Sequence, residues 1–247
     1  ITLPILRAVA ARHGPVALVH VDAHADVNDT MFGERIAHGT PFRRAVEERL
    51  LQCDRVFQIG LRGTGYEADD LDWPRRQGFT LCLAHELWFQ SLEPLMQQVR
   101  ATIGDAPCYL SFDIDGIDAA YAGGTGTPEI GGLTVMQGLE IIRGCRGLDL
   151  VGCDVVEVSP PYDPAGTTAL VGANLLWYFV SPYTFFAQLT GGTLHWAAWL
   201  LLGFTALAVY LDLAFLRRLL CKEFCPYGRF QTVLVDPGTL MLRFHPA

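Results

Sequence analysis

Residues Ala17-Leu18-Val19-His20-Val21 form an apolar, largely β-branched run that leads without a break into Asp22-Ala23-His24-Ala25-Asp26. Such a run fits a strand buried on both faces, as in a parallel sheet covered by helices. The residues that end it then lie at the strand's carboxyl end, where open α/β sheets gather their ligands. Asp22, His24 and Asp26 fall at every second position and are three candidate metal ligands. Carboxylates combined with imidazole suit Mn, Fe or Zn better than Ca or Mg. Taken alone, Asp-x-His-x-Asp is equally a polar turn after a strand, with one Asp capping the next helix.

A second stretch weighs against the plain turn. Cys108-Tyr109-Leu110-Ser111-Phe112-Asp113-Ile114-Asp115-Gly116-Ile117-Asp118 is again an apolar run that ends in alternating carboxylates. Two such strands at one sheet edge can clamp two cations, and Asp22 and Asp113 are the natural bridging candidates. Together the stretches match the patterns D-A-H-x-D and S-x-D-[IVL]-D-x-x-D. Ile36-Ala37-His38-Gly39-Thr40-Pro41, between them, and Gly124-Thr125-Gly126-Thr127-Pro128-Glu129 and Glu157-Val158-Ser159-Pro160-Pro161, after them, fall in the matching order. Over residues 1–176 the chain thereby resembles the ureohydrolase family of arginases, agmatinases and guanidinobutyrases, and within it the agmatinase branch.

The alternation of elements is consistent with that fold. Helical patterns cover residues 1–12, 40–51, 67–77, 92–103, 134–144 and 167–176, and strand patterns cover 17–21, 55–61, 79–83, 108–113 and 148–157. Strands alternating with helices of this length predict an α/β fold with a mostly parallel, doubly wound sheet. The resemblance makes it a three-layer sheet of arginase type. In the family the first helix follows a Gly-Gly-Asp-His-Ser turn whose His is a metal ligand. That turn and the strands before it are not in this sequence. The expectation is a truncated sheet with an open edge beside the Asp22 strand, and one metal a ligand short.

From Trp177 the text changes character. Residues 194–216 are apolar except for His195 and Asp212, long enough to span a bilayer, which takes about 20 helical residues. Arg217-Arg218 directly after them places the C-terminal side in the cytoplasm. Cys221-Lys222-Glu223-Phe224-Cys225-Pro226 matches the end of a bacterial ferredoxin cysteine run without its earlier cysteines. Residues 178–246 resemble a membrane-bound polyferredoxin of the cytochrome-oxidase accessory type. The expected organisation is therefore a ureohydrolase-like metal-binding domain, 1–176, and a membrane-spanning fragment, 177–247. The catalytic part is expected in the cytoplasm, tethered to the inner membrane.

The net charge of −8, with a single lysine (Lys222) among 18 Lys and Arg, nearly excludes a catalytic lysine. An acidic balance without basic clusters also argues against nucleic acid as a partner. Cys53, Cys82, Cys108, Cys145 and Cys153 sit on apolar runs and read as buried thiols.

The resemblance implies a pair of Mn²⁺ ions per active site. One would be held by Asp22, Asp26 and Asp113 with the family His, the other by Asp22, His24, Asp113 and Asp115. A metal-bridging hydroxide would attack the guanidinium carbon of a small guanidino compound, agmatine first, releasing urea and putrescine. His38 matches the family's proton shuttle and Glu157 the carboxylate that holds the guanidinium. Asp118 would support the Asp113–Asp115 pair. His13, His20 and His85 read as structural, and His195 and His245 as interfacial or exposed. Family members commonly form trimers or hexamers, which implies a homo-oligomer. Two other classes stay open: a catalytically impaired remnant or chimera, and a membrane protein of electron-transfer origin.

Overall fold

A computed structural model of the chain describes residues 1–63, 70–176 and 187–192, together with residues 196, 199, 203 and 207. The chain divides into two units, Ile1–Ser181 and Pro182–Ala247. Among the described residues the first unit holds five strands: β1 (Val16–Val21), β2 (Leu51–Leu61), β3 (Thr80–Leu83), β4 (Pro107–Asp113) and β5 (Asp149–Val156). They pair in the order β3-β2-β1-β4-β5, every neighbouring pair parallel. Parallel strands need crossovers, and helices supply them. These are α2 (Pro41–Glu47), α3 (Asp72–Gln77), α4 (Glu93–Ile103) and α5 (Val135–Gly144), while α1 (Thr2–His13) leads into β1 and α6 (Thr167–Leu176) follows β5.

Side chains alternate across the sheet, so each strand feeds two cores. Leu18 and Tyr109 point to one face and pack with Leu3, Leu6 and Phe42 from α1 and α2. Val19, Val21, Leu110 and Phe112 point to the other and pack with Met96, Val99, Ile103 and Ile141 from α4 and α5. The result is the expected three-layer arrangement, and β1 is buried at all of its positions. Local chemistry sets the helix starts. Thr134 accepts from the Gln137 N–H at 3.2 Å while Gln137 accepts from the Thr134 N–H at 3.0 Å, a reciprocal cap that opens α5.

Several expectations need correction. The helix expected over 40–51 ends at Glu47, because Arg49 adopts a left-handed φ of 58° and Leu51 already pairs with Val16. The strand expected from 55 therefore begins at Leu51. Part of the helix expected over 67–77 falls on residues outside the described ones, and α3 runs only from Asp72. The strand over 148–157 is not fully buried: β5 bonds only to β4, and its residues are half-buried or exposed. Nor is the Asp22 strand an edge. β1 is bonded on one side to β2 and on the other to β4, and the outer strands are β3 and β5.

Among the described residues no helix is long and apolar enough to cross a membrane. The transmembrane expectation for 194–216 lies outside the described residues, apart from 196, 199, 203 and 207, as does the cysteine pair Cys221 and Cys225.

Candidate metal centre

The strand order reverses between β1 and β4, since β2 and β3 lie to one side of β1 and β4 and β5 to the other. Strands that diverge in this way open a crevice at their carboxyl ends. The register aligns Val21 with Phe112, so the next residues along, Asp22 and Asp113, emerge side by side. A cleft of about 870 Å³ opens there, lined by Asp22, His24, Asp26, His38, Asp113, Asp115 and Glu157. All the metal-ligand and catalytic candidates thus share one cavity.

Asp22 is the hub. It is 1% exposed and its oxygens are already oriented. Oδ1 accepts the His24 backbone N–H at 2.6 Å, and Oδ2 lies 2.9 Å from His20 Nε2. His24 Nδ1 sits 3.4 Å from Asp22 Oδ1 and 3.2 Å from Asp115 Oδ2, so Asp22, His24 and Asp115 form one compact donor group. A second group consists of Asp22, Asp26 and His20. Asp22 belongs to both. Asp113 is in neither group, although it lines the same cleft and its Oδ1 accepts the Asp115 N–H at 2.9 Å. Asp115 is braced further by the Ala23 N–H at 3.1 Å and the Thr127 hydroxyl at 3.0 Å. Asp118 turns away from the cleft and accepts from the Ala120 and Gly132 N–H groups, which shapes the loop after β4.

The electrostatics of the cleft suit a cation. Burial first, then repulsion from Asp22, raises the carboxyls of Asp26 and Asp113 well above the ordinary carboxylate range. Burial also raises Asp115, against the hydrogen bond from His24. For His24, burial disfavours the charged ring, but its hydrogen bonds to Asp115 and Asp22 outweigh that and push it up to about 10. Carboxylates crowded this closely hold protons that a divalent ion would displace. The oxygen-rich donor set with one or two imidazoles fits a borderline first-row ion such as Mn²⁺.

The backbone is shaped for these side chains. Asp26 and Glu157 have φ of 54° and 61°, conformations that non-glycine residues rarely adopt and that concentrate at functional sites. His38 lies on the exposed loop before α2, its ring centre 6.0 Å from that of Phe32. Buried Thr40 cinches this loop, accepting the Ala37 N–H at 2.9 Å and lying 3.0 Å from the Arg35 carbonyl.

Three contributors have no part in the site as read from sequence, where His20 reads as structural and Gln58 and Arg62 are not singled out. His20 lines the cleft and Gln58 bonds its ring from β2; a polar residue two places before Asp22 on the same strand face, and another inside an apolar strand, are the traces they leave. Arg62 is the third. Its guanidinium donates to the carbonyls of Gly60, Asp115, Glu129 and Ile130 at 3.1, 2.7, 2.9 and 3.0 Å, tying β2 to the loops that carry Asp115 and Thr127. Nothing in the local sequence marks that role. Arg62→Ala should cost about 1–3 kcal/mol in urea denaturation, since these carbonyls lose their donors; an unchanged midpoint would show that water replaces the clamp.

A model of the arginase family matches residues 1–181. The guanidinobutyrase of Pseudomonas aeruginosa is 71% identical over 177 residues, 72% of this chain and 56% of that protein. The mitochondrial agmatinase of Gallus gallus is 63% identical over 176 residues, 71% of this chain and 52% of that protein. The chain spans about half the length of these relatives. Among solved structures, the proclavaminate amidino hydrolase of Streptomyces clavuligerus aligns with a TM-score of 0.68 at 42% identity, covering 72% of this chain and 60% of that one. The arginase of Bacillus caldovelox aligns at 0.64 and 26% identity, covering 73% and 65%. The family match ends at residue 181, so it lends no support to a polyferredoxin reading of 178–246.

Proposed function

Because this chain belongs to the arginase family, we propose that it hydrolyses the C–N bond of a small guanidino compound, releasing urea and an amine. The observation that carries the reading is Asp22, one buried carboxylate common to two donor groups at the mouth of the sheet. The residues that would hold two Mn²⁺ ions are Asp22, His24, Asp26, Asp113 and Asp115. Bound there, the ions supply the Lewis acidity that makes water a nucleophile near neutral pH.

The chain's own side chains do the rest. Glu157, beside Gly126 on the cleft wall, accepts hydrogen bonds from the substrate's guanidinium, and charge assistance strengthens them. The acidic cleft favours a cationic guanidinium at its floor. His38, at the exposed mouth, gives the departing amine its proton, a task suited to an imidazole. On this reading residues 1–176 carry the chemistry, and residues 177–247 are assigned to a separate domain.

For the far end of the substrate, the guanidinobutyrase relative favours a short guanidino acid. Agmatine, the sequence-based expectation, is the second reading, and the agmatinase relative supports it. Urea release by the Mn²⁺-loaded chain should be faster from 4-guanidinobutyrate than from agmatine. A reversed order would reinstate agmatine. Release from neither, nor from other linear guanidino compounds, would end the hydrolase reading.

A further inference from the structure

We propose that His20 is a positioning residue that fixes the shared carboxylate of Asp22, with Gln58 deciding which ring nitrogen does so. The proposal rests on the reading of Asp22 as a ligand common to both metal positions. His20 is 1% exposed and lines the cleft, and Gln58 is fully buried on the neighbouring strand. The ring of Phe42 packs on His20 at 4.2 Å between centres, so the imidazole cannot swing away.

The hydrogen bonds fix the tautomer. Gln58 Nε2 lies 2.7 Å from the Ala25 carbonyl, which can only accept, so this atom is the amide nitrogen and a donor. Turning the amide over would set two acceptors against each other, and the orientation holds even though Gln58 Oε1 has no hydrogen-bond partner. The same Nε2 lies 3.0 Å from His20 Nδ1, which must therefore accept. The ring hydrogen is then on Nε2, pointing at Asp22 Oδ2 at 2.9 Å. A nitrogen that carries a hydrogen has no lone pair for a metal. His20 is thus excluded as a ligand, although it lies within ligand range of Asp22 and Asp26.

The consequence falls on Asp22. A carboxylate oxygen has two lone pairs. Oδ2 uses one on His20 and Oδ1 uses one on the His24 N–H. The His24 ring, 3.4 Å from Oδ1, faces that oxygen's second lone pair; with the ring turned to a metal, each oxygen keeps one, which suits a carboxylate serving one cation through each oxygen. Gln58 extends the brace, because its bond to Ala25 also holds the loop between His24 and Asp26.

The test uses the full chain and two variants, with Mn²⁺ as the probe. His20→Phe keeps the ring against Phe42 and removes the donor; His20→Gln puts an amide N–H where Nε2 was. Mn²⁺ binding followed by electron paramagnetic resonance should show the same number of ions in all three. Affinity should fall about 10–100-fold in His20→Phe, as for other residues that orient metal ligands, and return toward the parent value in His20→Gln. Long-range ¹H–¹⁵N spectra of the metal-free parent should show His20 neutral with its hydrogen on Nε2. One ion fewer in His20→Phe would make His20 a ligand and overturn the proposal. Unchanged affinity would reduce it to a packing residue, and a hydrogen on Nδ1 would break the argument at its root. If the parent binds no Mn²⁺, the proposed function fails, and the tautomer spectrum still decides the role of His20.

Discussion

Asp113→Asn is expected to abolish urea release while leaving the metal-free chain at least as stable as its parent. The side chain sits beside Asp22 through the β1–β4 register, is 4% exposed, and has its carboxyl raised by burial and by repulsion from Asp22 and Asp115. An amide of the same shape can still accept the Asp115 N–H through its oxygen, so the loop after β4 keeps its anchor. The substitution removes a negative charge that only a cation can use. A loss of several kcal/mol of transition-state stabilisation corresponds to about 10²–10⁴-fold in rate. Thermal unfolding without metal should show no loss, because the amide does not need the proton that the buried carboxyl must keep; sites shaped for function commonly sacrifice stability in this way. A variant that keeps its activity would remove Asp113 from the metal centre. One that unfolds more easily would mean the residue is mainly structural.

Mn²⁺ should stabilise the chain more strongly as pH rises. For Asp26 and Asp113, whose carboxyls are raised in the folded state by burial first and by Asp22 next, there is no effect below the unfolded value of about 3.9. Above it the unfolded chain releases protons that the folded chain retains, so stability falls with rising pH. His24, pushed up to about 10 against its own burial, stabilises the fold fully below its unfolded value of about 6.5 and loses that contribution on the way to about 10. Asp22 has the opposite sign. Burial is outweighed by the hydrogen bonds that Asp22 accepts from His20 and His24, so its contribution is present at neutral pH and is lost only in acid. From about pH 4 to 10 the metal-free fold therefore weakens as pH rises. A bound ion takes the place of the protons and removes the dependence. With Mn²⁺ at about 100 times its Kd, the melting temperature should rise by about 5–10 °C. The rise should be larger at about pH 8.5 than at about pH 6. Equal shifts at both would mean that the ion displaces no protons and binds elsewhere.

The sequence alone determined the class of fold and the place of the site. A run such as 17–21, apolar but for His20, fits burial on both faces, and a strand so buried delivers its next residues to the carboxyl edge of the sheet. Spaced two apart at the ends of apolar runs, Asp22, His24 and Asp26 could be read as a set, as could Asp113 and Asp115. Burial of β5 could not be read the same way. Leu148, Leu150 and Val151 look like a central strand, yet β5 has a single sheet neighbour, and pairing partners are a property of the assembled sheet.

How the candidate ligands are held in place follows from contacts that the local sequence does not show. The register that sets Asp22 beside Asp113 depends on two strands more than eighty residues apart in the chain. Arg62 acts through carbonyls, which carry no mark of residue type, and Gln58 acts through a histidine on a neighbouring strand. Ligand chemistry resides in the side chains and is written locally. Ligand orientation resides in hydrogen bonds between distant segments, and those bonds exist only once the chain has folded.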